Sequence, residues 1–395
     1  MNILAFDLSN IGSLLLFVVI IAFLIAWHEL GHLLVAKKCN VYCYEYAIGF
    51  GPAIYKNKKR ETHFTIRAIP LGGFVKMAGE EGVEEGEVVK GNNGEEIPSN
   101  RILANQSLWK RALVMAAGGI MNIIMALLCF YIVITVNGGF QIPSNSNDVY
   151  ISLPVDGNEC ELAKAGMETD DIITKVEIKL ADETEYEVYE ITNYKDIINA
   201  LNEKVPEKVE NNAQDIKISY LDVSDNNTLK VAEVERKWVN VDDNLQLSKI
   251  GLEQNRTVYE YNALTATYGS FHFMGYYTVE ICKAFGGLFV GKFENLSGLV
   301  GIYSTIDSVA TAPASFGVRL INIISIIGSI SFSLGFFNLI PFPALDGGRL
   351  VFVAIEAITK KKVNPNVEGT IHFVGIILLF ALMIIINIRD VINLF

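Results

Sequence analysis

The sequence predicts an α-helical multi-pass membrane protein with four transmembrane helices. A β-hairpin is expected between the first two helices and one α+β domain between the second and third. Three observations carry this. Apolar runs long enough to cross a bilayer occur at 13–36, 112–136, 318–340 and 370–388. The segment 44–77 alternates apolar and polar residues and is rich in β-branched and aromatic types, as strands are. Finally, 51% of the 395 residues are hydrophobic, with net charge −12 and mean hydropathy +0.33. Those values suit membrane helices joined to a soluble portion, not a single soluble domain.

The first run (domain range 1–37) holds the stretch around which the chain is organised. His28-Glu29-Leu30-Gly31-His32 lies near its end. Histidine and glutamate are costly in a spanning helix, so an ionisable cluster there points to function. Positions i and i+4 share a helix face, so His28 and His32 can present ring nitrogens to one metal ion. Glu29 is then placed to act as base toward a water molecule. The N-terminal MNILAFDLSN lacks a basic n-region and no small-residue cleavage site follows, so the first helix is expected to be retained.

A catalytic zinc site wants a third protein ligand and one open position. Asn338-Leu-Ile-Pro341-Phe-Pro343-Ala-Leu-Asp346-Gly347-Gly348 supplies a candidate, Asp346, on irregular backbone between prolines and glycines. Such backbone at membrane depth is tolerated where it lines a cavity or is buried in protein.

Together, HELGH in the first span and NLIPFPALDGG in a late span resemble the site-2 protease family of intramembrane zinc metalloproteases. The likeness is strongest to the bacterial regulator-of-sigma-E-protease type. The resemblance implies that Zn2+ is the cofactor, that His28, His32 and Asp346 bind it and that Glu29 is the catalytic base. It implies that Asn338 positions substrate or stabilises the oxyanion. It further implies that the substrates are single-span membrane proteins already shortened by another protease, such as anti-sigma factors or signal-peptide remnants.

The remaining ranges follow in order. In 38–111, YEYAIGFGPAIY and THFTIRAIPLGGFVKM flank the basic turn KNKKRE as a membrane-associated hairpin. Ile48–Pro52 and Pro70–Lys76 resemble the family's β-loop, which implies a substrate-positioning role for Gly72, Gly73 and Phe74 through strand addition. Gly79–Asn100 is acidic and glycine-rich and is expected to be a mobile loop. The second span, 112–137, begins AAGGIMN, small residues that permit close helix packing. Gly119 stands where the family usually has proline.

Range 138–258 reads as one inserted domain. CELAKAGMETDDII (Cys160–Ile173) resembles the groove region of a PDZ domain, with Asp170 where glycine is usual. Tyr194–Leu201 has helical spacing, strands DIKISYL and TLKVAEV flank the turn Ser224–Asn227, and Lys249–Leu252 is expected to close the sheet. A peptide C-terminus is the ligand class such a groove takes. Range 259–317 is aromatic and interrupted by glycine, and is expected to lie on the outer membrane surface; Leu299 stands at a family proline. The third span with its LDG motif covers 318–348, a cytoplasmic connection 349–369, and the fourth span 370–395.

Lysines and arginines at 37–38, 56–60, 110–111 and 360–362 mark their loops as cytoplasmic. This places the N-terminus and the PDZ-like domain outside and the site toward the cytoplasm of a cell membrane. The lipid bilayer is thus a partner, and the acidic balance argues against nucleic acid. The five cysteines are scattered, and Cys39 with Cys43 lacks the second pair of a metal motif. A silent scaffold is disfavoured by the complete ligand-and-base set. An ion transporter is disfavoured by the sparse ionisable residues in spans two to four.

Overall fold

The computed structural model describes residues 8–80, 88–143, 149–151, 160–210, 212–241, 244–248, 250–254, 256–289 and 296–393. The chain divides into two compact units, 1–138 with 261–395, and 139–260.

In the first unit, four helices are long and apolar enough to cross a membrane: α1 (Leu8–Lys38), α2 (Leu108–Val136), α7 (Phe316–Leu339) and α9 (Pro365–Asn393). Their interiors are Leu, Ile, Val and Phe, and cations gather at the ends. Helix α1 stops where Asn40 turns left-handed at φ 64. There the Val41 amide returns to the Ala36 carbonyl (2.9 Å) and Asn40 to Lys37 (3.0 Å), a Schellman closure.

Small residues set the spacing of the helices. A Cβ on Gly31 of α1 would lie 2.5 Å from the Ala117 carbonyl oxygen of α2. On the opposite side of α2, a Cβ on Gly119 would lie 2.9 Å from the Gly335 oxygen of α7, and one on Gly335 would lie 2.6 Å from the Gly119 oxygen. The glycine at the family's proline position therefore lets α7 pack against α2 backbone to backbone.

The helix expected over 318–340 corresponds to α7, but the range 318–348 given to the third span with its LDG motif is not one helix. Helix α7 ends at Leu339, and a separate helix α8 (Asp346–Thr359) starts at the aspartate. Pro341 and Pro343 deny the helix its hydrogen bonds, so the chain turns and restarts. The supposed connection 349–369 is thus mostly helix. Two arginines hold α8: Arg111 Nη1 lies 2.7 Å from Glu356 Oε2, and Arg349 Nη1 pairs with Glu80 Oε1.

The interruption by glycine expected within 259–317 is corrected for 263–289. Residues 263–289 form one helix, α5 (Ala263–Phe289), and a shorter α6 (Leu299–Thr311) follows. Phe273, Met274, Tyr277 and Ile281 form a helical stripe packed on Phe130 of α2 and Phe332 of α7, with the Tyr277 and Phe130 rings stacked at 5.6 Å. Gly275 and Gly286 face open space, so they do not interrupt that stripe. Leu299 is the first residue of α6, where proline is favoured but not required. A carboxylate from another helix caps α6: Asp390 Oδ2 of α9 accepts from Gly298 (2.7 Å) and Gly301 (3.1 Å), and Asn387 Oδ1 accepts from Val300 (3.2 Å).

Between α1 and α2, β1 (Cys43–Asn57) and β2 (His63–Met77) pair in a doubled-back register. Residues 45–48 face 73–76 on one side and 63–66 on the other, while 50–57 pair with 64–69. The Tyr46 hydroxyl donates to the Ala26 carbonyl at 2.7 Å, docking the sheet on α1. The mobile loop expected at 79–100 is corrected for residues 88–100. Ile97 and Ile102 are buried with Tyr42 and Ala78, and the Asn92 side chain donates to the carbonyls of Tyr44 and Glu61, both at 2.8 Å. Residues 81–87 lie outside the described residues.

The second unit carries β3 (Gly139–Pro143), β4 (Val149–Ile151), α3 (Glu161–Lys164), β5 (Ile172–Leu180), β6 (Glu187–Glu190) and α4 (Tyr194–Glu203). Then follow β7 (Ala213–Asp222), β8 (Thr228–Val241), β9 (Asn244–Leu247), β10 (Leu252–Gln254) and β11 (Arg256–Glu260). Five strands form one antiparallel sheet in the order β6-β5-β7-β8-β9. Leu162, Ile173, Ile197, Ile216, Ile218 and Tyr220 fill its core. Helix α4 opens on a capping box, Asn193 with Asp196. Asn226 and Asn227 take φ of 52 and 58, giving the tight β7–β8 turn. Asp170 takes φ 77, the left-handed region that explains a usual glycine. Leu252 does not close the main sheet as expected. It pairs with Ile151, so β10 and β4 form a separate ladder.

Removing the cross-helix cap tests this packing. Asp390→Ala should cost about 2 kcal/mol, because two half-buried amides at the start of α6 lose their acceptor. Thermal unfolding of the detergent-purified protein reads this as a lowered midpoint, and an unchanged midpoint would reject the cap.

Candidate metal centre

Helices α1, α2 and α8 converge on one polar cluster. His28 and His32 project from α1 one turn apart and are buried, at 9% and 7% exposure. Asp346 begins α8 and points its carboxylate between them. His28 Nε2 lies 3.3 Å from Asp346 Oδ2, His32 Nε2 lies 3.2 Å from the same oxygen, and the two Nε2 atoms are 3.3 Å apart. Among the described residues this is the one group of three His, Cys, Asp or Glu side chains able to hold a metal ion.

The triangle fits a specific metal geometry. Zinc–nitrogen and zinc–oxygen bonds of about 2.0–2.2 Å at tetrahedral angles put ligand atoms about 3.3–3.6 Å apart. Asp346 Oδ2 is buried and makes no hydrogen bond, as an atom reserved for a cation would. The three residues therefore fit zinc and leave a fourth position open.

The second helix orients both imidazoles. His32 Nδ1 lies 2.8 Å from the Val114 carbonyl, so Nδ1 carries the proton and Nε2 keeps its lone pair for the metal. His28 Nδ1 faces the Asn122 side-chain amide at 3.3 Å, while Asn122 Oδ1 is buried without a partner. Turning that amide over lets Oδ1 accept from His28 Nδ1–H and satisfies both groups, and amide orientation is set by such networks. Both rings then offer Nε2 inward. Between Val114 and Asn122 on the same face stands Gly118, where a Cβ would overlap His32 Nε2 and lie 2.5 Å from His28 Nε2.

Glu29 follows His28 on α1, and β2 runs past it. A Cβ on Gly73 would lie 3.2 Å from Glu29 Cγ and 2.9 Å from the Ala47 carbonyl. Gly73 thus sits beside the proposed base. Gly72, at φ 145, is instead covered by the Phe50 ring, and Phe74 packs under Arg67 with the guanidinium carbon 5.1 Å from the ring centre. Asn338 lies half-buried in the last turn of α7, before the turn to Asp346. The structure therefore brings His28, His32 and Asp346 together and sets Glu29 and Gly73 side by side, while Gly72 and Phe74 shape the sheet.

No role was read from the sequence for the positioning groups Val114, Gly118 and Asn122. An asparagine inside an apolar run was the available signal, since a polar side chain there needs a partner. Gly118 and the Val114 carbonyl leave no such trace.

Comparison with known proteins gives a consistent result. The model of Peptidase family M50 matches residues 16–382. The regulator of sigma-W protease RasP of Bacillus subtilis is 29% identical, with 98% of this chain and 99% of that protein aligned. The zinc metalloprotease RasP of Oceanobacillus iheyensis is 30% identical over 96% and 98%. A putative zinc metalloprotease of Staphylococcus aureus is 27% identical over 97% and 99%.

Gly118→Ala tests the centre without touching a ligand. The added methyl enters the space between the two rings, so zinc affinity should fall at least about tenfold. Gly369→Ala, with open space around it, is the control. Zinc content after dialysis against a weak chelator distinguishes them, and equal content would reject the packing described.

Proposed function

The chain belongs to peptidase family M50, and from that membership and the site geometry we propose that His28, His32 and Asp346 hold its zinc while Glu29 is the base for peptide hydrolysis. The protein is a zinc metalloendopeptidase, a multi-pass cell-membrane enzyme of intramembrane regulated proteolysis. The 3.2–3.3 Å triangle of ligand atoms carries the residue assignment. When bound, zinc supplies Lewis acidity to the scissile carbonyl and the attacking water. Glu29 takes a proton from that water and delivers it to the leaving amide nitrogen. Val114 and Asn122 keep the imidazoles in the tautomer that faces inward.

Peptide bonds within a helix are shielded, so the substrate must reach Glu29 extended. Residues 73–76 pair on one side with 45–48, and among the described residues no strand occupies their other edge. An unwound substrate segment added there by backbone hydrogen bonds passes Gly73 and lies next to Glu29. Asn338 is the proposed contact to the substrate or the oxyanion. The substrate class we favour is single-span membrane proteins trimmed beforehand, anti-sigma factors or signal-peptide remnants. A relative whose name links it to sigma-W supports this. The inserted unit 139–260 holds none of the proposed site residues; we read it as a PDZ-like domain that selects substrates, with a peptide C-terminus as its ligand class. The N-terminus and this unit are extracytoplasmic in our reading, and the site faces the cytoplasmic side.

Division of labour between ligands and base gives the first test. Alanine at His28, His32 or Asp346 should abolish stoichiometric zinc. Glu29→Gln should retain zinc and slow cleavage by about 10²–10⁴-fold. Cleavage at the normal rate by Glu29→Gln would overturn the mechanism. The orientation is tested separately in intact cells, with Cys160 and Cys282 first replaced. Cysteine at exposed Asn226 should react with an impermeant thiol reagent and cysteine at exposed Lys58 should not. The reverse pattern would invert the topology.

A further inference from the structure

We propose that His372 on α9 is a positioning residue for Asp346, acting through the main chain of the turn that delivers it. The inference rests on the reading of Asp346 as a zinc ligand. Residues 340–345 carry the chain from the end of α7 to the start of α8, and within them Ala344 has φ 80, a left-handed conformation that a Cβ disfavours. Such a residue persists where its surroundings over-determine it. Here the Ala344 amide donates to His372 Nδ1 at 2.9 Å.

That bond fixes the state of His372. Nδ1 is the acceptor, so the ring is neutral and its proton sits on Nε2. This nitrogen turns toward Glu368 Oε1, 3.9 Å away, beside a cavity of about 650 Å3 also lined by Glu80, Arg349 and Glu356. The Phe352 ring of α8 packs on the imidazole, with centroids 5.6 Å apart. One turn further along α9, Gly375 meets the preceding residue of the same loop. A Cβ there would lie 2.5 Å from Pro343 Cβ and 2.6 Å from its carbonyl oxygen. His372 and Gly375 are three apart and share a face of α9. The fourth span therefore grips two successive residues, one by close contact and one by a hydrogen bond, immediately before the ligand.

Without the acceptor, the Ala344 amide loses its partner and the left-handed turn loses the contact that holds it. The peptide two residues ahead of Asp346 is then free to rotate, and Oδ2 leaves its 3.2–3.3 Å positions against His28 and His32. The effect on zinc is transmitted by the backbone, with no contact between His372 and the ion.

The test exploits the position of the acceptor. Asparagine Oδ1 lies at the same bond separation from Cα as histidine Nδ1, whereas glutamine Oε1 lies one bond further. Zinc affinity of full-length detergent-purified protein would be measured by chelator competition, alongside kcat and KM and the thermal midpoint of the zinc-free protein. His372→Asn should keep zinc affinity within about threefold, while His372→Gln and His372→Phe should weaken it about tenfold or more and lower kcat at unchanged KM. Equal behaviour of all three variants, or losses that follow the zinc-free midpoint, would overturn the proposal. If the Gln and Phe variants do not fold, Gly375→Ala decides: weakened zinc with an intact fold supports the cradle, and wild-type affinity rejects it. Asp346→Ala separates the two levels of the argument. Retained zinc in that variant sinks both the ligand assignment and this inference, whereas lost zinc with a flat His372 series sinks this inference alone.

Discussion

The close approach of α1 and α7 to α2 at Ala117, Gly118 and Gly119 is the constraint on which the site depends. Successive residues on an α-helix point about 100° apart, so these three address three directions. Ala117 takes the backbone of α1 at Gly31, Gly118 faces the imidazoles, and Gly119 takes α7 at Gly335. Inside a bilayer no hydrophobic force draws helices together, so short-range packing between small residues sets their register. That register has a chemical result. Val114, Gly118 and Asn122 lie one turn apart on α2, opposite His32 and His28 on the antiparallel α1, and each ring meets its own partner. A slip of one residue along α2 would turn both partners off the face.

The same economy governs the other polar groups at this depth. An unpaired donor or acceptor away from water is expensive, and several polar side chains here bond to carbonyls of neighbouring helices. Trp27 Nε1 donates to the Met121 carbonyl at 2.9 Å, and the Ser331 hydroxyl donates to the Asn122 carbonyl at 2.9 Å. Tyr46 and His32 also bond to carbonyls of neighbouring elements. These bonds link α1, α2, α7 and the sheet without a charge between them. Asp346 Oδ2 stands apart from this pattern, a buried acceptor facing two nitrogens that must keep their own lone pairs. Three electron-rich atoms at about 3.3 Å are mutually repulsive until a cation joins them.

What the sequence made legible follows from which interactions are local. The shared face of His28 and His32 is legible because i and i+4 on one helix are fixed by helix geometry alone. Asp346 was legible from the irregular residues around it, and the apolar run was read to end at 340, yet the helix that restarts at Asp346 was not read. Hydropathy counts apolar residues and does not count missing amide hydrogen bonds. The helix at 263–289 was hidden because its glycines looked disruptive, and only the structure reveals that Gly275 and Gly286 face open space. The packing of 88–100 was hidden for the opposite reason: Ile97, the neighbouring Ile102 and one asparagine side chain anchor an otherwise polar stretch, and composition averages them away. Register along α2 was invisible as well, since it depends on partners more than eighty positions distant, as with Val114 and His32 or Asn122 and His28.

The source of order in α8 decides what zinc has to do for the fold. Its proposed ligands come from α1 and α8, far apart in the chain, so a metal could in principle be the staple that joins them. The contacts argue for a prepared site instead. Helix α8 is already tied to α2 by Arg111 with Glu356 and to the end of β2 by Arg349 with Glu80. Its glycines press on the preceding loop, since a Cβ on Gly348 would lie 2.5 Å from the Phe342 carbonyl. Helix α9 holds that loop from the far side at Pro343 and Ala344. None of these contacts includes a metal ligand side chain. The proposed ligand atoms are therefore held at metal-binding separation by helix packing and ion pairs, so binding does not have to order the chain. A catalytic centre gains from that arrangement, because ligands locked by their surroundings keep the open fourth position open.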